Sequence, residues 1–233
     1  MSDMDKPRAK RFLIEEDEER IDRLFAVWNE GVCPGGQVGV RYRGEVIYQK
    51  CFGYANLEHR IPVTDTTVFH IASMSKQMTA MAILLLHEDG KLHIDDDIRL
   101  YLADIVHFSE PVTIRQLMNH TSGIRDQFFL LNMCGVRIED TITQADTLRV
   151  ISWQRSLNFK PGSAYAYSNS NYTLMAEIVT RVSGVSMTQW CRKRIFEPLG
   201  MTRTVFQENF WQVIPDRADS YENDGYNSFA KYL

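Results

Sequence analysis

Apolar residues recur at three- and four-residue intervals through most of the chain and alternate only in one short early stretch. Ile21, Leu24, Phe25 and Trp28 stand at i, i+3, i+4 and i+7 behind the acidic run at 15–19. This spacing makes one apolar helix face and puts negative charge at the positive end of the helix. Pro34-Gly35-Gly36 stops that helix. Val38, Val40 and Tyr42 then alternate with polar or small residues up to Arg43-Gly44, and residues 45–52 are strand-like again, which predicts one β-hairpin. Residues 74–87 are dense in Met, Ala, Ile and Leu on every face and close at Asp89-Gly90, the pattern of a helix buried on nearly all sides.

Further helices follow. Residues 113–119 start a short one, and Thr143-Gln144-Ala145-Asp146 reads as a capping box opening another that runs to about Leu157. Lys160-Pro161-Gly162-Ser163 is a turn. Residues 171–182 carry helical apolar spacing that ends at Ser183-Gly184, and residues 187–196 form one more helix before Pro198-Leu199-Gly200. The order of helix, two strands and a long run of helices argues for an α+β fold rather than alternating βαβ units. A lone hairpin is marginal as a sheet, and no convincing strand is visible after residue 205 to extend it. The expected organisation is a charged leader at 1–14, one domain at 15–225 and a tail at 226–233.

Composition narrows the possibilities. The 233 residues are 44% apolar and 24% charged, with 30 acidic against 26 basic side chains and a net charge of −4, which is ordinary for a globular protein. No basic stripe interleaved with aromatics offers a footprint for phosphate backbones, so nucleic acid is not an expected partner. The longest apolar run, residues 80–86, is about a third of a bilayer-spanning helix. No membrane segment is expected, and Phe12-Leu13-Ile14 is too short for a secretion signal, so the expected location is the cytoplasm. Cys33, Cys51, Cys134 and Cys191 are scattered, without Cys-x-x-Cys or histidines at ligand spacing, and read as reduced, mostly buried thiols. Glycine loops for phosphate, paired zinc ligands and a Gly-x-Ser-x-Gly elbow are also missing, so neither cofactor nor metal is expected.

What remains is serine with lysine. Ser73-Met74-Ser75-Lys76 opens the apolar helix, so the Ser73 hydroxyl and the Lys76 ammonium, three residues apart, share one face. The helix start adds positive potential where an oxyanion would form, and a serine hydroxyl needs a neighbouring base to become nucleophilic. Two fixed residues match by chance in a chain this long, and Ser228-Phe229-Ala230-Lys231 does so in what reads as a frayed polar tail. The plain reading of Ser73 is an N-cap followed by a surface lysine. The residues alone leave the two readings even.

Three segments separate them: Phe69-His70-Ile71-Ala72-Ser73-Met74-Ser75-Lys76-Gln77, then Leu117-Met118-Asn119-His120-Thr121-Ser122-Gly123-Ile124, then Lys160-Pro161-Gly162 leading to Tyr167-Ser168-Asn169-Ser170-Asn171-Tyr172. In this order they resemble the serine β-lactamase and penicillin-binding-protein superfamily, in its branch of class C β-lactamases, D-aminopeptidases, DD-carboxypeptidases and esterases. The resemblance runs from about residue 15 to 225. It implies that Ser73 is acylated, that Lys76 shares the proton traffic, that Tyr167 is the base and that Asn169 holds the substrate amide. A phenol titrates near ~10, so Tyr167 acts as a base at neutral pH only if a cation such as Lys76 stabilises its phenolate. Tyr54-Ala55-Asn56 and Tyr221-Glu222-Asn223 also spell Tyr-x-Asn. Position favours Tyr167, which follows a Pro-Gly turn just ahead of a helix.

Other motifs read as structural. In the family the His120-Thr121-Ser122-Gly123 stretch is a turn supporting the helical part. Asp95-Asp96-Asp97 is a solvated turn with capping carboxylates, His87 and His93 make no metal pair, and Trp153, Trp190, Phe196 and Trp211 are expected in the core. The loop at 125–137, with Phe128, Phe129, Leu130 and Cys134, suits either an acyl pocket or packing on the helices. Relatives usually run longer and return three strands to the hairpin with a Lys-Thr-Gly or His-x-Gly motif, and neither motif follows Tyr167 here. Two readings therefore stand. One is a serine hydrolase acting through Ser73 on β-lactams, D-amino-acid peptides or small esters. The other is a truncated, non-catalytic relative that binds acyl ligands or a partner, with a homo-oligomer covering the incomplete sheet.

Overall fold

A computed structural model describes residues 15–137, 139–225 and 228–232. The leader expected at 1–14 lies outside the described residues. The chain forms two compact units: Met1–His70 together with Val213–Leu233, and Ile71–Gln212.

In the first unit, helix α1 (Glu15–Phe25) runs into a 3₁₀ turn at Ala26–Asn29. The apolar spacing read from the sequence brings Phe25 and Trp28 against Phe52, with ring centroids 5.1 to 6.3 Å apart. Strands β1 (Gly36–Tyr42) and β2 (Glu45–Phe52) form the expected antiparallel hairpin. Its turn residues, Arg43 and Gly44, both have left-handed φ (48° and 87°), as a tight hairpin turn requires. Asp22 of α1 accepts hydrogen bonds from Tyr48 Oη and Lys50 Nζ, both at 2.6 Å. A second small ladder joins β3 (Tyr54–Asn56) to β4 (Ile61–Pro62).

The expectation that nothing after residue 205 is a strand is corrected. β5 (Ser220–Asn223) and β6 (Phe229–Tyr232) form an antiparallel hairpin, so the Ser228–Lys231 stretch is not a frayed tail. Lys231 Nζ lies 2.9 Å from Asp219 Oδ2, and Ser228 Oγ bonds Asp224. The second Ser-x-x-Lys therefore spends its polar groups on carboxylates. Its shortness hid a four-residue strand held by its ladder and by the Lys231–Asp219 ion pair. Among the described residues, each sheet has only two strands.

The second unit is helical. Its core is built from Ala82, Ile83 and Leu86 of α2 (Lys76–Glu88), Leu102 of α3 (Arg99–Leu102), Ile114 and Leu117 of α4 (Ile114–Met118), and Leu174, Met175, Ile178 and Val179 of α7 (Asn169–Ser183), all with no solvent exposure. Between α4 and α7 lie α5 (Gln127–Met133) and α6 (Gln144–Ser152). α7 packs against α2, α3, α4 and α6 and also against α8 (Met187–Cys191), which continues as a wider π turn through Phe196. The expected capping box at Thr143 and Asp146 is present. The α6 helix stops at Ser152 rather than near Leu157, because Asn158 N–H turns away to donate to Gly123 O at 2.8 Å. Gly184, with φ 74°, closes α7, as a left-handed C-terminal glycine should.

Three expectations about burial are corrected. α2 is one-sided: Met81 and Leu84 remain exposed while Thr79, Ala82, Ile83 and Leu86 are buried, so methionine density overstated its enclosure. Trp153 and Trp211 lie on the surface at 57% and 81% exposure, whereas Trp190 and Phe196 are in the core. Of the cysteines only Cys191 is fully buried and Cys134 is exposed; all four are free. The α+β class itself stands.

The core makes a quantitative demand. Leu174→Ala should lower unfolding free energy by about 2–5 kcal/mol, whereas Thr143→Ala, which removes only a cap, should cost about 1 kcal/mol. Urea denaturation monitored by circular dichroism checks both, and equal losses would contradict the assigned core.

Candidate active site

Ser73 sits in a single 3₁₀ turn, Ala72–Ser75, that feeds α2. Ala72 enters this turn at φ 44°, a left-handed conformation that costs a non-glycine residue about 1–2 kcal/mol. Ser75 Oγ donates to Ala72 O at 2.7 Å and Met74 N–H donates to Ile71 O at 3.0 Å. These bonds hold the tight turn, and Ser73 is left solvent-accessible one turn ahead of the positive end of α2.

Tyr167 arrives from the other side of the unit on the segment preceding α7. The His120-Thr121-Ser122-Gly123 turn clamps that segment. Ala166 N–H donates to His120 O (3.0 Å), Gly162 N–H to Thr121 O (2.8 Å), and Ser168 N–H to His120 Nδ1 (3.2 Å). Gly123 has φ 77°, and a Cβ there would fall 2.4 Å from Phe159 O, so only glycine permits this approach. Behind it, Ser122 Oγ donates to Asn171 Oδ1 at 2.7 Å and accepts from Ile124 N–H at 3.1 Å. His120 is itself left-handed, at φ 57°. Its ring lies 4.6 Å from that of Tyr167 and 5.2 Å from that of Tyr172.

All four sequence-predicted residues meet. Ser73 Oγ and Tyr167 Oη share a hydrogen bond at 2.8 Å, although 94 residues separate them. Lys76 Nζ donates to Ser73 Oγ at 3.1 Å and to Asn169 Oδ1 at 2.9 Å, and it lies 4.9 Å from the centre of the Tyr167 ring. Tyr167 Oη is 3.4 Å from Asn169 Oδ1. The decoys do not join. Tyr221 Oη donates to Glu58 Oε2 at 2.8 Å, and Tyr54 belongs to strand β3.

One residue was missed. Asp126, the N-cap of α5, accepts from Phe128 N–H with one oxygen (2.9 Å) and from Asn169 N–H (2.6 Å) and Nδ2 (2.8 Å) with the other. It fixes the Asn169 carboxamide so that its oxygen faces Lys76. The only sequence signal was a carboxylate just ahead of Gln-Phe-Phe, which is a cap pattern that says nothing about what else the carboxylate holds.

Electrostatics follow from the contacts. Burial raises the Tyr167 phenol, but hydrogen bonds from Lys76 and Ser73 and the Lys76 charge outweigh it, so its pKa falls below the ordinary value of 10.0. Burial and the Lys76 charge lower His120. A neutral ring with a bare Nδ1 is what two donors, Ser168 N–H and Asn171 Nδ2, require. Beside Tyr167 and Asn169 opens a cavity of about 350 Å³ whose wall includes Phe128, Phe129, Leu131, Val136 and Ile142. Phe128 and Phe129 thus line the cavity beside Tyr167, while Leu130 and Cys134 line a different depression.

The remaining motifs are structural. Asp95 pairs with Arg115, Asp96 accepts from Tyr101 Oη, and Asp97 pairs with Arg99. His87 and His93 stack edge-on at 4.7 Å. Among the described residues, no cluster of ligand side chains suits a metal, and no helix is long and apolar enough to cross a membrane.

A unit of small sheets and a helical unit that carries a Ser-x-x-Lys and Tyr-x-Asn cluster define a class of fold, and the sequence agrees with it. The Beta-lactamase family profile matches residues 17–228, and the chain belongs to that family. It is 35% identical over 198 residues to a D-aminopeptidase of Gluconobacter oxydans, covering 84% of this chain and 37% of that one. It is 32% identical over 205 residues to a penicillin-binding protein of Bacillus subtilis, covering 87% and 44%. Its structure resembles the octameric penicillin-binding protein homologue from Pyrococcus abyssi, with a TM-score of 0.74 and 31% identity over 94% of this chain and 50% of that one. The chain thus spans less than half the length of these two curated relatives.

The pKa of Tyr167 is directly measurable. Ultraviolet difference titration of the protein against Tyr167→Phe should show one phenol ionising below the usual ~10, and Lys76→Met should move it upward. A Tyr167 titration unaffected by Lys76→Met would refute the coupling.

Proposed function

We propose that this chain carries the acylating site of a serine hydrolase. The observation that supports it is the three-way contact of Ser73, Lys76 and Tyr167, an exposed hydroxyl bonded at 2.8 Å to a phenol of lowered pKa and at 3.1 Å to an ammonium. In the first step Ser73 Oγ attacks a substrate carbonyl carbon while its proton passes to the Tyr167 phenolate. The tetrahedral intermediate then collapses, and the leaving amine or alkoxide takes that proton from Tyr167, giving the Ser73 acyl ester. In the second step Tyr167 takes a proton from water, which attacks the ester. The acid departs, and the proton returns to Ser73 Oγ. Lys76 holds the phenolate and orients the Asn169 oxygen throughout, and Asn169 Nδ2, anchored on Asp126, keeps that side chain in register.

The substrates proposed are β-lactams, amides of D-amino acids and small esters, with an apolar acyl side chain. The names of the relatives support the first two classes, and the cavity of Phe128, Phe129 and Leu131 beside Tyr167 supports the apolar preference. The octameric state of the archaeal homologue supports self-association of this chain as part of the same reading.

Incubation with a fluorescent penicillin and with p-nitrophenyl esters, followed by intact-mass analysis, tests the proposal. The expected result is one adduct on Ser73, absent in Ser73→Ala. Esters with a medium-length acyl chain should acylate faster than acetate, and Phe129→Ala should erase that preference. No adduct on a folded protein would leave the non-catalytic reading in its place.

A further inference from the structure

The buried His120 ring takes no part in the proton transfers proposed above, yet it holds the backbone that delivers Tyr167. Its Nδ1 accepts from Ser168 N–H and from Asn171 Nδ2, both at 3.2 Å, and its ring lies 4.6 Å from the Tyr167 ring. Two donors aimed at one nitrogen require that nitrogen to be bare, so the ring is built into this place neutral, with its proton on Nε2. The residues on either side are fixed separately, through Ala166 N–H to His120 O at 3.0 Å and Asn169 N–H to Asp126 Oδ2 at 2.6 Å. Residues 167 and 168 are the short link whose aim depends on the imidazole.

Protonation reverses this arrangement. An imidazolium carries N–H on both nitrogens, and its Nδ1 then faces two other donors. Asn171 can adapt, because turning its carboxamide offers Oδ1 to the ring and Nδ2 to Ser122 Oγ, the hydroxyl its Oδ1 already bonds at 2.7 Å. A backbone N–H cannot turn over in this way. Ser168 has to move, and Tyr167 moves with it. The charged and titratable groups facing the ring are Lys76 on α2, Asp126 at the start of α5, Tyr165 and Tyr167 on the segment before α7, and Tyr172 on α7. Burial, and then the Lys76 charge, oppose a further cation here and outweigh the Asp126 carboxylate, so His120 takes its proton below the ordinary 6.5. With the pKa lowered, the neutral arrangement is complete above it and is lost as pH falls through it.

We propose that His120 is a positioning residue that works as a proton-operated latch. Neutral, it holds Ser168 N–H and aims Tyr167 at Ser73; protonated, it becomes a donor at Nδ1, releases Ser168 and lets the phenol leave the Ser73 hydroxyl. The latch shuts the site in mild acid. Its effect on acylation rests on the serine-hydrolase reading above; the latch itself does not.

Nuclear magnetic resonance of the whole chain, labelled in histidine nitrogen and tyrosine ring carbon and titrated from about pH 8 to 4, tests this. The expected result is a His120 ring protonated on Nε2 alone at the start, which takes its second proton below ~6.5. The Tyr167 resonance, assigned with Tyr167→Phe, should shift at the same midpoint while far-ultraviolet circular dichroism stays flat. His120→Asn puts an oxygen close to the place of Nδ1, suits the left-handed φ of 57° and does not titrate. It should abolish the Tyr167 shift over this range, whereas His120→Leu should show the released resonance at every pH. Acylation by fluorescent penicillin gives the kinetic readout. Below the His120 midpoint its rate should fall about a hundredfold per pH unit in the native chain, for loss of both phenolate and latch, and about tenfold in His120→Asn. A Tyr167 resonance that ignores the His120 titration overturns the proposal, as do a proton on Nδ1 at the start, a Tyr167 shift kept in His120→Asn, or unfolding at that midpoint. The native chain alone decides the matter if a variant fails to fold. Nuclear magnetic resonance transitions without any acylation would uphold the latch and refute the hydrolase reading.

Discussion

The arrangement depends on one ammonium group. Lys76 Nζ is the hub to which Ser73 Oγ, Asn169 Oδ1 and the Tyr167 ring all converge, within 2.9 to 4.9 Å. A half-buried cation is costly unless oxygen acceptors replace its water, so the geometry that shelters Lys76 also assembles the cluster. That shelter comes from packing. Ile83 and Leu86 on α2 and Leu174 and Ile178 on α7 are fully buried in one core. Ser73 and Lys76 lead into α2 and Tyr167 and Asn169 lead into α7, so burying those two apolar faces brings the polar starts of both helices together.

Helix packing alone leaves side chains too loose for chemistry, and two strained turns tighten them. In the helical unit the left-handed non-glycine residues among those described are Ala72 and His120, and both border the cluster. Their conformations are maintained by hydrogen bonds that over-determine the backbone, from Ser75 Oγ on one side and from Ala166, Ser168 and Asn171 on the other. Strain concentrated where groups must be aimed is a common feature of functional sites. Asp126 adds the final constraint by accepting both donors of Asn169.

How much of this was legible in the sequence differs from element to element. The first hairpin, the Thr143 capping box and the Ser183-Gly184 stop were visible because each rests on local chemistry: alternation, a cap, a left-handed glycine. The four cluster residues were visible only through the family resemblance, since Ser-x-x-Lys and Tyr-x-Asn each occur more than once and nothing local ties residue 73 to residue 167. Asp126 was not legible, because its cap role is local and its hold on Asn169 is 43 residues away. Strand β6 was missed because it is only four residues long and shows no extended alternation, and Trp153 was misplaced because size alone does not decide burial.

A double-mutant cycle on the acylation rate constant tests the hub most directly. If Lys76 acts by holding Tyr167 as a base for Ser73, then Lys76→Met and Tyr167→Phe each slow acylation severely, and the double variant is no slower than the worse of the two. Effects that multiply in the double variant, as for two independent groups, would contradict the account.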